Sequence, residues 1–291
     1  MRILGISRGK RFSPNMSDKD MAIMNEVATE LEQLGHLTCF ADEDEDEKRL
    51  GSLLDGHYDA VFTMLRSQNG INLLKAFEQQ GTPTVNSSTG ITNAGRARVN
   101  RILSEAGIPM PKTLVIDYQE PVNIDFLKEK LQNGFLLPCW IKNGEGWAQY
   151  ADDVTFAETI PDVAEKIALL RGRYPYGSIV ITEHLCGDLV KFYGVEGTDF
   201  FFWRYPDPKN SKFGLEAING TPERFSFDAM TLKRTCDTAA AATQIVVYGG
   251  DCVIDADGSF RIIDFNDWPS FSACRDEAAK AIAQRIIKAA R

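Results

Sequence analysis

The chain lacks most features that would commit a protein to a special environment. Its six cysteines (Cys39, Cys139, Cys186, Cys236, Cys252 and Cys274) form no CxxC pair and no other metal-like spacing. A chain of 291 residues buries enough core to need no disulfide staples, so reduced thiols in a cytoplasmic setting are expected. No segment approaches the roughly 18 consecutive apolar residues of a membrane span. The opening MRILGISRGKRF has too short an apolar run for a signal peptide. A basic excess is also missing: 32 Lys and Arg against 41 Asp and Glu leave a net charge of −9. That balance argues against nucleic-acid and acidic-membrane partners, yet leaves room for a local basic pocket and a small-molecule anionic substrate. No GxxxxGK[ST] phosphate loop occurs, nor any internal repeat, low-complexity tract or clear flexible linker. Otherwise the composition, 44% hydrophobic and 25% charged, is that of an ordinary globular protein.

What is present begins with alternation. Arg2–Ser7 reads as a strand, Lys19–Leu34 as a helix stopped by Gly35, and His36–Ala41 as a second strand. The strand Ala60–Met64, the helix Ile71–Gln80 and a very short strand at Thr84–Asn86 follow. Strand and helix in turn through about residue 90 imply βαβ units and a parallel sheet, hence an α/β class. Ligands of such sheets sit beyond the carboxyl ends of the strands. Those ends carry Arg8, Lys10 and Arg11, then Arg66, Gln68 and Asn69, a set suited to an anion or equally to solvated loops. The acidic run Asp42–Glu47 reads as a solvated loop.

Further along, the helix Gly95–Ala106 carries Arg96, Arg98 and Arg101. The strand Thr113–Ile116 and the helix Ile124–Gln132 precede Cys139–Lys142, a strand running into Asn143-Gly144-Glu145-Gly146-Trp147. A lysine ending a strand before a glycine-bearing loop can hold its ammonium over phosphate oxygens; the plainer reading is a lysine snorkelling from a strand end. After the helix Pro161–Leu170, the strand Ser178–Glu183 ends at Glu183-His184-Leu185. Leu189–Val195 and Phe200–Tyr205 carry Lys191 and Arg204, which would face one cleft if the two strands pair. Asp228–Gly249, with its Ala239–Ala242 run, reads as a long helix, and Arg275–Ala290 as the closing one. Between these lies Tyr248–Pro269, two short strands around an Asp257-Gly258 turn. Asp264 and Asn266, two apart on a strand, share a face, and Asp251 lies across the hairpin. Three hard oxygen donors suit Mg²⁺, which is held by one or two carboxylates plus substrate phosphates. On spacing alone, a polar hairpin end explains the same residues equally well.

Taken in order, these pieces resemble the ATP-grasp superfamily over nearly the whole chain. Arg96–Thr113 matches an "R…L…aGIPmPkT" segment, and LPCWIKNGEG ending at Lys142 resembles "fPlvvKp…g". ITEHLCGD at 181–188 resembles the hinge, and Gly250-Asp251 through Asp264-Phe265-Asn266 and Pro269 the metal segment. The resemblance implies an N-terminal pre-ATP-grasp α/β domain (residues 1–94), a central lid subdomain (95–182) and a C-terminal subdomain (183–291), the two antiparallel lobes holding ATP between them. It implies Lys142 on the α/β-phosphates, the backbone of Glu183, His184 and Leu185 on adenine, and Asp188 near the ribose. Asp251, Asp264 and Asn266 would hold one or two Mg²⁺ (or Mn²⁺) ions. The loop Asn143–Tyr150 would be a lid, and Lys191 and Arg204 would serve phosphate or substrate. The chain departs from the pattern at Gly95-Arg96, where many relatives have Asp-Lys; Arg96 or Arg98 would then clamp phosphate. It departs again at Asp264, where Glu is common.

Most members of that superfamily are carboxylate–amine ligases acting through an acyl phosphate, and a ligase is the leading expectation. A kinase acting on a small anionic or polyol acceptor is the alternative. Gly187–Gly194, Trp203-Arg204-Tyr205-Pro206 and Asp264-Phe265-Asn266 also resemble the inositol-phosphate kinase branch. A nucleotide-binding regulatory module is a third reading, disfavoured by the intact Lys142, Asp251, Asp264 and Asn266. The acceptor pocket is expected from the N-terminal lobe and the loop Pro206–Phe227. Dimers being the commonest soluble oligomers, a homodimer is the default assembly.

Overall fold

The computed structural model describes residues 1–13, 16–45, 47–132, 137–145, 150–206 and 218–291. Three four-stranded sheets organise the chain. The first is the expected parallel one, in the order β2-β1-β3-β4: β1 (Arg2–Ser7), β2 (Leu37–Asp42), β3 (Ala60–Thr63) and β4 (Thr84–Val85). Ile3, Leu4 and Ile6 are all buried because elements cover both faces of a parallel sheet. The helices α1 (Ser17–Gln33), α2 (Glu47–Ser52), α3 (Gln68–Gln79) and α4 (Ser88–Asn93) belong to this lobe. Ser67 caps α3 and Ser87 caps α4, each accepting from the backbone N–H three residues on.

The second sheet is antiparallel, in the order β5-β8-β6-β7: β5 (Thr113–Ile116), β6 (Cys139–Asn143), β7 (Val154–Ala157) and β8 (Ile179–Glu183). Its inner residues Cys139, Ile141 and Ile181 pack under α6 (Ile124–Gln132) and α7 (Ile160–Arg173). Alternation along β6 therefore turns Trp140 and Lys142 to the other face. The third sheet, also antiparallel, has the order β10-β9-β11-β12: β9 (Asp188–Val195), β10 (Phe201–Arg204), β11 (Val247–Ile254) and β12 (Phe260–Asp267). The helices α5 (Arg96–Glu105) and α8 (Ala229–Thr243) cover one side of it.

One hydrophobic core runs from the parallel lobe into the third sheet. It joins Ile3, Ile23 and Phe62 to Val195, Val247 and Trp268, and α9 (Arg275–Ala289) fills it with Ile282 and Ile286. Phe62 and Trp268 stack with centroids 6.2 Å apart. A buried ion pair from Arg66 to Asp267 crosses the same boundary. No helix of the described residues is long and apolar enough to cross a membrane.

Two sequence expectations change here. The helix read over Asp228–Gly249 stops at Thr243, where Gln244 turns left-handed (φ 60°). Helix propensity loses because Val247 and Tyr248, both fully buried, pair with Val195 and Gly194 of β9 and begin an eight-residue strand. The acidic run is not simply solvated either. Glu43 is buried and accepts from the backbone N–H groups of Gly9 (2.8 Å), Arg66 (2.8 Å) and Ser67. Those amides, at the ends of β1 and β3 and the start of α3, point into the crevice where the strand order reverses, and they require an anion. The protein supplies its own. Residue 46 of this run lies outside the described residues.

Candidate active site

A cleft opens between the second and third sheets. Trp140 and Lys142 of β6, Val154 of β7 and Thr182 of β8 face Leu189, Asp251, Val253, Ile263 and Asp264 across it. The segment Glu183–Leu185 closes one end, and Arg96, at the start of α5, stands at the other. The end at Glu183–Leu185 is apolar and aromatic. Leu185, Leu189 and Val253, with Ile263 against them, form a small cluster apart from the main cores. Trp140 donates from Nε1 to His184 Nδ1 (3.1 Å), and Phe156 meets the His184 ring edge-on at 5.2 Å. A flat heterocycle fits this end. The N–H groups of Glu183 and His184 already donate to the carbonyls of Lys112 and Pro138. The Leu185 carbonyl accepts from Asn219 (3.1 Å), and the N–H of the same residue has no acceptor among the described residues.

The Trp140–His184 bond needs an unprotonated Nδ1, and burial holds the His184 pKa below the usual 6.5. The unfolded chain then takes up the proton first as pH falls, so this contribution to stability is complete above about pH 6.5 and is lost below it. Between about pH 7.5 and 5.5 wild type should lose more urea stability than His184→Gln, whose amide oxygen still accepts from Trp140. Parallel pH slopes for the two proteins would remove the role of this histidine.

The opposite end is charged, and its geometry follows from strand register. Asp264 of β12 pairs with Asp251 of β11, Asp251 with Lys191 of β9, and Lys191 with Arg204 of β10. Residues directly opposite share a face, so these four form one row across the sheet, roughly 14 Å long at the usual strand spacing. Lys191 Nζ lies 3.2 Å from Asp251 Oδ1. Arg204 stands beside the half-buried Tyr193 and opposes the upward push that burial gives its phenol pKa. Asn266 shares the face of Asp264, and its side chain helps to lower the Asp264 pKa. Between Asp251 and Cys252 the register slips, leaving Ile263 as an extra residue on β12. This β-bulge lets consecutive residues reach one cleft, Ile263 at the apolar end and Asp264 at the charged end. It also turns the Ile263 carbonyl to accept from Lys142 Nζ (3.2 Å). Glycine is required opposite: a Cβ on Gly250 would fall 2.1 Å from the Asp264 carbonyl oxygen.

Burial alone would raise the Asp264 pKa, but Arg96 (Nε 3.8 Å away) and Lys142 hold it below the usual carboxylate range. Burial lowers the Lys142 pKa, with Asp264 opposing. The site thus sets the carboxylates Asp251 and Asp264 against Arg96, Lys142 and Lys191 in a partly dry cleft. Among the described residues no group of three or more His, Cys, Asp or Glu is placed to hold a metal unaided. Asp251, Asp264 and the Asn266 amide are hard oxygen donors, and they fit a Mg²⁺ ion that takes its remaining ligands from phosphate and water.

The comparisons agree with this arrangement at the level of fold. The sequence matches no family model and no curated protein. Among solved structures, a D-alanine–D-alanine ligase from Bacillus anthracis complexed with ATP aligns at TM-score 0.71 and 16% identity, over 100% of this chain and 97% of that one. The VanG D-Ala:D-Ser ligase from Enterococcus faecalis aligns at 0.70 and 16% identity, over 100% and 99%. A RimK domain ATP-grasp protein from Sphaerobacter thermophilus aligns at 0.66 and 15% identity, over 99% and 100%. The chain has the ATP-grasp fold.

Within the ATP-grasp cleft the structure gathers Lys142, Glu183, His184, Leu185, Arg96, Asp251 and Asp264. Asn266, Lys191 and Arg204 continue from it along the same face of the third sheet. Six expected residues lie elsewhere. Asp188, expected near a ribose, is turned inward and accepts from the backbone N–H groups of Glu223 (2.7 Å) and Phe225 (2.8 Å). Arg8, expected on substrate, is nearly buried and binds the carbonyls of Met64 and Trp268 and the carboxylate of Asp20. Lys10 is exposed and lines neither this cleft nor its neighbour. Arg98, expected on phosphate beside Arg96, points away into a second cavity together with Arg11 and Arg66. The lid expected at Asn143–Tyr150 and the loop Pro206–Phe227 include residues 146–149 and 207–217, which lie outside the described residues. Sequence reasoning missed Trp140, Asn219 and Ile263. The i, i+2 spacing of Trp140 and Lys142 on one strand was the available signal for the first.

Proposed function

We propose that this chain is an ATP- and Mg²⁺-dependent ligase that activates a small carboxylate as an acyl phosphate for attack by an amine. The observation that carries the reading is the Asp264–Asp251–Lys191–Arg204 row, which begins beside Lys142 and Arg96 and leads out of the nucleotide cleft. The adenine would lie against Leu185, Leu189, Val253 and Ile263, with its edge at the Leu185 N–H. Lys142 and Arg96 would neutralise phosphate oxygens, in a cleft where fixed charges act more strongly than in water. Asp251, Asp264 and Asn266 would hold the metal, which when bound screens the charge that spreads over the transferring phosphoryl group. Lys191 and Arg204 would then face the acceptor and the developing oxyanion. The D-alanine–D-alanine and D-Ala:D-Ser ligases among the similar structures support a ligase over other reactions.

Trapping separates the ligase from a kinase, which the arginine-rich second cavity favours as the other reading. With a carboxylate acceptor, ATP and hydroxylamine, a ligase yields a hydroxamate and ADP in equal amounts. A stable phosphorylated product formed with no amine present would sink the ligase reading. ATP binding with no turnover in either assay would point to a regulatory module instead.

A further inference from the structure

Beside the nucleotide cleft lies a larger cavity, of about 680 Å³, whose walls come from different parts of the fold. The parallel lobe contributes Arg11 and Arg66, α5 contributes Arg98 and Arg101, and the base of the lid loop contributes Glu145. Its charge balance is unusual for a chain of net charge −9. Arg66 is answered by Asp267, and Arg101 by Asp117 at 2.9 Å. Glu145, the single carboxylate among the described residues of the lining, accepts from the Ser178 hydroxyl at 3.3 Å. Arg11 and Arg98 have no ion-pair partner among the described residues; the Arg11 guanidinium rests 4.5 Å over the Phe12 ring. Two unanswered guanidinium groups thus line one cavity from separate walls.

The position of the cavity ties it to the chemistry. Gly95, Ala97 and Arg98 line the cavity while Arg96 lines the cleft, so a single turn of α5 separates the two. The Ala97 N–H donates to the Gly144 carbonyl (2.8 Å), and Arg96 to that of Asn143 (2.7 Å). These bonds fix that turn against the strand end carrying Lys142. The cavity therefore adjoins the end of the cleft where phosphate would be transferred. Planar guanidinium forks match carboxylate and phosphate oxygens in pairs, and cations gathered along one cavity raise the local concentration of anions. A single carboxylate would answer one wall. Both walls together call for more.

We infer that this cavity binds the acceptor, and that the acceptor carries at least two anionic groups, held by Arg11 from the parallel lobe and by Arg98 from α5. The inference rests on the reading that a nucleotide fills the inner cleft. Phosphate and carboxylate share the required chemistry, so the test carries both. Titration calorimetry in metal-free buffer would compare tricarballylate with butyrate and pyrophosphate with phosphate, on protein first saturated with ADP. In at least one pair the ligand with several anionic groups should bind tenfold or more tighter than the one with a single group, and the pair that does so names the chemistry. Arg98→Ala and Arg11→Ala should each weaken that binding about tenfold, and the double variant about a hundredfold, with ADP affinity unchanged within about twofold. Equal binding of the multi-group and single-group ligands in both pairs, or retention of polyanion affinity in the double variant, would overturn the inference. Failure of ADP itself to bind would instead defeat the nucleotide reading, and the same polyanions titrated without ADP would still report on the arginines.

Discussion

Asp264→Asn should lower turnover on the order of a hundred- to a thousandfold, because it removes one of the two carboxylates proposed to hold the metal while keeping the side-chain shape. Metal-free ADP binding should behave in the opposite way. Asp264 sits beside Arg96 and Lys142 and competes with phosphate for both. Neutralising it frees those cations, so ADP should bind the variant as tightly as wild type or up to about tenfold tighter. The substitution keeps the side-chain size and leaves the backbone pairing of β12 in place, so the strand and its bulge should persist. Steady-state turnover and calorimetry with ADP in metal-free buffer check the two halves separately. Wild-type turnover in Asp264→Asn would remove the metal role. Loss of ADP binding along with turnover would show that the carboxylate holds the site together instead.

Arg66→Met should destabilise the protein by about 3–5 kcal/mol, the usual cost of removing one partner of a buried ion pair. The cost comes from what is left behind. The Asp267 side chain is 1% exposed against 10% for Arg66, so the stranded carboxylate has no route to water. Asp267→Asn should cost less, since Arg66 lines the open cavity and reaches solvent there. The double variant Arg66→Met/Asp267→Leu should recover a large part of the loss, because two apolar side chains replace two buried charges. Urea midpoints at constant m-value measure all three. A loss under about 1 kcal/mol for Arg66→Met would mean that the pair does not clamp the parallel lobe to β12.

Much of this architecture could be read from residue order. The parallel lobe followed from strand–helix alternation, and the bounds of Thr113–Ile116 and Ile124–Gln132 coincide with the observed elements. Lys142, Asp251, Asp264 and Asn266 could be singled out because their neighbours are strand residues and strand periodicity is rigid. Helix periodicity would have separated Arg96 from Arg98, since residues two apart on a helix lie about 200° apart around its axis. The short strand Val154–Ala157 carries too few residues for its alternation to be distinctive, and it exists because Trp140 and Ile141 pair with Phe156 and Thr155.

The sequence by itself determined the fold class and the donor types at the charged end of the cleft, because these depend on local period and on side-chain chemistry. Only the tertiary structure decided which of those groups face one another. The bulge at Ile263 is a slip of register between two strands, and no single strand encodes it. Glu43 and Asp188 were claimed by backbone amides that come near only after folding, at Gly9, Arg66 and Ser67 and at Glu223 and Phe225. A buried N–H takes whatever acceptor lies within reach. Reach between distant segments is a property of the packed chain.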